Sequence, residues 1–160
     1  MLATVSRKKA WVVEKAGADY IIPYHEEDFS SAANKIMGDK KIDIIYDSVG
    51  SKTFQKNFAC IRKKGLIVSF GQSSGVISPF NLLELAKAGS ILITRPQLSD
   101  YIADYPSLET RSLDLFRYFK LDRFFINIDT IFPLKKAAFA HDLLEHQKVV
   151  GKILLDPKLD

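Results

Sequence analysis

Cysteine and histidine are scarce in this 160-residue chain, which holds Cys60 alone and the histidines His25, His141 and His146. One cysteine excludes an internal disulfide and any multi-cysteine zinc site. No histidine lies near Cys60 in a ligand pattern, so no bound metal is expected. Cys60 follows Ala59 inside a predicted helix, where a lone cysteine reads as a small buried hydrophobe. No apolar run approaches the roughly 18 residues of a membrane span. The opening Met-Leu-Ala-Thr-Val is too short for a signal peptide. The expectation is a cytoplasmic protein without a membrane partner. The G-x-S-x-G elbow of serine hydrolases is missing, and so is the G-x-G-x-x-G loop that cradles a pyrophosphate. Lysine and arginine give a formal net charge of +4 but form no long block, so nucleic acid is not the expected partner. No linker, internal repeat or low-complexity tract divides the chain.

What is there alternates between strand-like and helix-like segments. A short apolar strand at 2–5 leads into a helix over 8–15, ended by Gly17. A strand at 20–23 precedes a helix over 25–37, stopped by Gly38. The run at 41–50 is a strand with apolar residues on both faces, the pattern of a parallel strand covered on both sides. A helix over 51–61, a strand at 65–71, a Ser/Gly loop, a helix over 80–88 and a strand at 90–96 follow. The last third holds a long helix over 101–119, a strand at 128–133, an alanine-rich helix over 133–147 and a final strand at 151–157. Such alternation argues for a parallel α/β sheet with right-handed crossovers. His141 and His146 are expected to face solvent, and His25 to be a surface residue.

The first strand ends in Ser6-Arg7-Lys8-Lys9. In dinucleotide-binding folds the end of the second strand meets the adenosine ribose, where a carboxylate suits a free 2′-hydroxyl and cations suit a 2′-phosphate. A hydroxyl and three cations occupy this turn, which points to NADP over NAD. The pyrophosphate loop that would come earlier has no counterpart. The fold class expected is therefore α/β, a Rossmann-like parallel sheet lacking its first βα unit, with a C-terminal helix-strand extension. Residues 1–125 would form a partial NADP-binding domain and 126–160 a segment packed on it. In the strand order 3-2-1-4-5-6, the missing strand would lie between the strands at 2–5 and 42–48.

The segments AGADYIIPYHEEDF (16–29), YDSVG (46–50), GLIVSFGQSSG (65–75), TRP (94–96) and FPLKKAAFAHDLLEHQKVVGKILL (132–155) come in sequence along the chain. Together they resemble the zinc-free NADPH:quinone oxidoreductases, the zeta-crystallin branch of the medium-chain dehydrogenase/reductase superfamily. This resemblance implies an NADPH-dependent reductase of quinones or similar electron-poor carbonyl compounds, and it implies an N-terminally truncated chain. It matches Lys9 to a lysine that pairs with the 2′-phosphate, with Ser6 and Arg7 in the same turn, and Tyr24 to an aromatic near the adenine. Ser48 and Gly50 fall in the turn under the adenine ribose. Phe70, Gly71, Gln72 and Ser73 fall in the loop beside the nicotinamide, and Thr94, Arg95 and Pro96 in the segment at its carboxamide. Lys152 sits where a basic residue can approach the cofactor. Plain structural roles compete: a solvated basic turn, and Ser48 capping the helix that follows.

Hydride transfer needs no protein nucleophile, so no catalytic residue is named. The expected protein is a cofactor domain with weak or no activity alone. Alternatives are half of a split reductase completed by a second chain, and a non-enzymatic oligomeric or nucleic-acid-binding module. A homodimer through the strand around Ile91, Leu92 and Ile93 is expected, because relatives pair across this strand and exposed edges seek partners.

Overall fold

A computed structural model describes residues 1–121, 125–146 and 148–159. The chain forms two compact units, one of Met1–Ile21 with Leu115–Asp160 and one of Ile22–Asp114. This grouping cuts across the 1–125 and 126–160 division.

In the first unit, strand β1 (Leu2–Val5) runs into a single 3-10 turn, Arg7–Lys9, and helix α1 (Ala10–Lys15). Gly17 follows with φ +88°, a left-handed conformation that ends the helix. Strand β2 (Tyr20–Pro23) pairs with β1 in a two-stranded sheet. The C-terminal part is a βαβ unit: β6 (Ile128–Pro133), α7 (Ala137–Glu145) and β7 (Lys152–Asp156), with the two strands parallel. Phe132 meets Phe139 edge-on at 5.6 Å, fixing the helix over the strand. Trp11 of α1 packs against Phe125 at 6.3 Å, and the Lys15 ammonium lies over both rings.

The second unit is built on a three-stranded parallel sheet, β3 (Ile42–Asp47), β4 (Ile61–Ser69) and β5 (Leu92–Thr94), with β4 in the middle. Ile45, Ile67 and Ile93 stand in register on one face. They form the core with buried Ile61 and Ile91, together with Phe58 of α3 (Phe54–Cys60) and Leu85 of α4 (Leu83–Lys87). Helix α2 (Phe29–Met37) packs on α3. Asp28 caps α2, accepting from Ser31 N at 3.1 Å and Ser30 Oγ at 2.6 Å while paired with Lys56 of α3. The start of α2 at Phe29 differs from the expected 25–37, because this cap leaves 24–27 as a turn.

The opposite face of the same sheet carries the row Ile44, Leu66, Leu92, with Tyr46 and Val68 beside it. Here Ile44 is 48% exposed, Tyr46 71% and Leu92 55%. The two-sided apolar pattern of this sheet is real, but only one side is covered. After β5 the expected single helix is two: α5 (Leu98–Tyr101) and α6 (Tyr105–Lys120). Asp104 accepts from Ser107 N at 2.7 Å, and Pro106 in the first turn has no N–H to offer, so a new helix begins there. No residue of α6 is buried.

Among the described residues the strands fall into the sheets β1-β2, β3-β4-β5 and β6-β7.

Candidate functional site

The second unit gathers its loops at the carboxyl ends of its parallel strands, where open α/β sheets bind ligands. The organising group there is Asp47, the last residue of β3, which is buried. Its Oδ1 accepts from Val49 N at 2.8 Å, Gly50 N at 3.1 Å and Thr53 Oγ1 at 2.9 Å. Its Oδ2 accepts from Thr53 Oγ1 at 2.8 Å and Asn57 Nδ2 at 2.6 Å. One carboxylate thus satisfies the turn after β3 and ties it to α3. Ser48 does not cap that helix; its N-cap residue is Thr53, without a side-chain cap bond, and Ser48 is exposed.

The loop after β4 locks onto this turn. Phe70 N donates to Asp47 O at 2.9 Å, Ser73 N to Ser48 O at 3.1 Å and Ser74 N to Val49 O at 2.8 Å. Ser74 Oγ donates to Val49 O at 2.7 Å, and Ser51 Oγ to Ser74 O at 2.9 Å. Two glycines permit the approach. A Cβ at Gly71 would lie 2.6 Å from Ser48 O, and one at Gly50, where φ is +88°, would lie 2.8 Å from Gly75 O. Of the expected site residues, the structure therefore brings Ser48, Gly50, Phe70, Gly71, Gln72 and Ser73 into one interlocked pair of loops. What Gly50 admits closely is the 72–75 backbone, and the Phe70 ring stays 52% exposed.

Arg95 and Thr94 point to different faces of the sheet. Thr94 is in register with Val68 on the exposed face, whereas Arg95 Nη1 donates to Ser69 O at 2.7 Å. Ser69 and Arg95 line a cleft of about 490 Å³, walled by the 76–80 segment, Phe54 and Ile93. The Ser69 hydroxyl is buried and has no hydrogen-bond partner in this structure, a state that costs roughly 1–3 kcal/mol for a neutral group. Tyr24 is exposed, its ring 4.3 Å from that of His25.

In the first unit the basic turn follows β1 directly. Ser6 is its N-cap residue and accepts through its carbonyl from Lys9 N at 2.9 Å; no acidic residue lies in the turn. Lys9 Nζ donates to Val149 O at 2.7 Å, so the ammonium also anchors the segment before β7. Lys152 opens β7, exposed, with its backbone N–H donating to Asn127 O at 2.8 Å. The sequence reading missed the Asp47–Thr53–Asn57 network and the cleft. The first has a faint signal, a strand-end Asp followed by Thr and Asn one helical turn apart; the second depends on loop packing and has none.

Among the described residues no group of three or more His, Cys, Asp or Glu could hold a metal ion. Burial pushes the Cys60 thiol above its ordinary range, the inert state of a structural cysteine. Among the described residues no helix is long and apolar enough to cross a membrane.

The family model for zinc-binding dehydrogenases matches residues 16–155. The chain is 38% identical to quinone oxidoreductase 1 of Escherichia coli over 98% of its own length and 49% of that protein's. It is 34% identical to a 2-haloacrylate reductase of Burkholderia sp over 99% of its length and 48% of the relative's. The crystal structure of the E. coli quinone oxidoreductase complexed with NADPH superposes with a TM-score of 0.90, covering 98% of this chain and 49% of that one. The chain spans about half the length of the curated relatives it matches. Its parallel α/β architecture is the Rossmann-like one of these oxidoreductases. On sequence and fold alike, the chain belongs to the zinc-binding dehydrogenase family, on the side of the quinone oxidoreductases.

Proposed function

We propose that this chain is the cofactor-binding part of an NADPH:quinone oxidoreductase of the zinc-free kind, located in the cytoplasm and with little or no turnover by itself. The observation that carries the reading is the close match to an NADPH-complexed quinone oxidoreductase over nearly all of this chain and half of that one. The donor set at the end of β1 fits the cofactor: a hydroxyl and three cations, with no carboxylate to accept from a free ribose hydroxyl. NADPH supplies the hydride when bound. In the first unit, Ser6, Arg7 and Lys9 hold the 2′-phosphate, with Lys152 as a further cation. In the second, Tyr24 stacks on adenine, Ser48 and Gly50 bear on the ribose, and the 70–73 loop with Thr94, Arg95 and Pro96 orients the nicotinamide.

Phosphate binding in this fold rests on backbone N–H groups at the N-terminus of the first helix, a feature absent from this sequence. Without those bonds, affinity falls and the ring is poorly positioned for hydride transfer. The experiment is a steady-state assay of the purified chain with NADPH and a soluble quinone. Background rates support the reading; a turnover of order ~1 s⁻¹, at the low end for enzymes, overturns it. The exposed row Ile44, Tyr46 and Leu92 favours a second form of the same reading, in which a further polypeptide completes the reductase. The free edge at β5 supports a homodimer, with Leu92 at the contact. Ile91 lies in the core and is not part of that contact.

A further inference from the structure

The cleft beside β5 shares Gln72 and Arg95 with the segments proposed above for the nicotinamide, but its apolar walls have no part in that reading. Its walls are apolar: Phe54 and Phe80, with ring centroids 5.0 Å apart, face Ile77 and Ile93. Four polar residues stand among them, Ser69, Gln72, Ser78 and Arg95. The Ser69 hydroxyl is 97% buried with its residue, which is 3% exposed, and finds no acceptor or donor in the protein. The Arg95 guanidinium is fixed by its 2.7 Å bond from Nη1 to Ser69 O, leaving its other N–H groups for a ligand. Ser69 and Arg95 share the sheet face that also carries Ile93, since Val68 and Thr94 are in register on the other. None of the described residues lining the cleft is acidic. About 490 Å³ is within the range of small-molecule pockets, which pair apolar walls with a few polar anchors.

We propose that this cleft is a binding site for a small carboxylate carried on a flat ring. The ring lies between the phenylalanines and Ile77. Both carboxylate oxygens accept from the remaining N–H groups of Arg95, whose guanidinium the Ser69 carbonyl holds in place. The fixed cation selects a carboxylate over a neutral group of the same size, because charge-assisted bonds are about twice as strong as neutral ones. Arg95 is shared with the nicotinamide assignment, but this binding requires neither the basic turn nor NADPH, so its failure and the failure of the proposed function are distinguishable.

The test is a titration of the ¹⁵N-labelled full chain with benzoate, with benzyl alcohol as the neutral control of similar shape. Benzoate is expected to shift the amides of Gln72 and Ile93 saturably, and benzyl alcohol to bind at least ~10-fold more weakly. Arg95→Gln should weaken benzoate by at least ~10-fold, and Ile77→Trp, which fills the cleft, should abolish the shifts. Should Arg95→Gln fail to fold by circular dichroism, the Ile77→Trp variant and the benzyl alcohol comparison decide. Equal binding of the two probes overturns the proposal. So do benzoate binding that survives in a folded Arg95→Gln or Ile77→Trp chain, and the absence of saturable shifts.

Discussion

At the scale of the residue, two carboxylates hold local structure in opposite settings. Asp47 is buried and accepts from four donors, two of them on α3 or its approach. Asp47→Asn keeps the shape but turns an NH₂ group toward Thr53 or Asn57, both donors. The expected loss is roughly 2–3 kcal/mol of stability, seen as a lower urea midpoint with an unchanged slope. Asp28 is exposed, and the hydrogen bond from Lys56, followed by those from Ser30 Oγ and Ser31 N, holds its carboxyl well below the usual carboxylate range. A depressed folded pKa gives stability that is fully present above the unfolded value near 3.8 and is lost progressively as pH falls from there through the folded value. Lys56→Met should therefore lower the urea midpoint at pH 7 more than at about pH 3. A gap that stays constant or widens in acid would show that Lys56 acts through packing instead. The residue scale is also where the sequence was least legible. Cations after a strand identify a turn, but nothing in Lys9 announces that its ammonium reaches Val149 O, 140 positions away. Nor does Arg95 reveal which face of β5 its side chain takes.

At the scale of the element, hydrophobic periodicity and glycine punctuation carried most of the reading. Strands β1, β2 and β6 coincide with the expected 2–5, 20–23 and 128–133 because short apolar runs between polar turns leave few alternatives. Boundaries moved where a polar side chain competes with the pattern. Asp28 starts α2 late and Asp104 splits α5 from α6, both through bonds to a backbone N–H three residues on. Strand β4 begins earlier than 65, at Ile61, which pairs with Ile42; the register then shifts, and Arg62-Lys63-Lys64 stand outside the pairing before it resumes at Ile44 and Leu66. Strand β5 ends the three-stranded sheet with an open edge and an exposed Leu92. Leu92→Lys adds charge at that edge without touching the core, whereas Ile93 packs on the core and would confound the result. Light scattering at tens of micromolar should show a dimer for the parent chain and a monomer for Leu92→Lys. A parent monomer, or a variant that stays dimeric, would remove β5 from the interface.

At the scale of the whole molecule, the parallel α/β class was legible because βα alternation leaves little else. The organisation of the units was not. The segment 1–21 belongs with 115–160, a grouping made by long-range contacts such as Trp11 with Phe125 that no local pattern encodes. The central claim is that the chain carries the NADP-selecting part of a quinone oxidoreductase, and it rests on the charge of one turn. Calorimetric titration with NADPH and NADH, on the parent chain and on Lys9→Ala, tests it most directly. The account predicts tighter binding of NADPH by at least ~10-fold, equal to about 1.4 kcal/mol, with most of that margin lost in Lys9→Ala. NADH binding as tightly as NADPH, or a margin unchanged in Lys9→Ala, would contradict it.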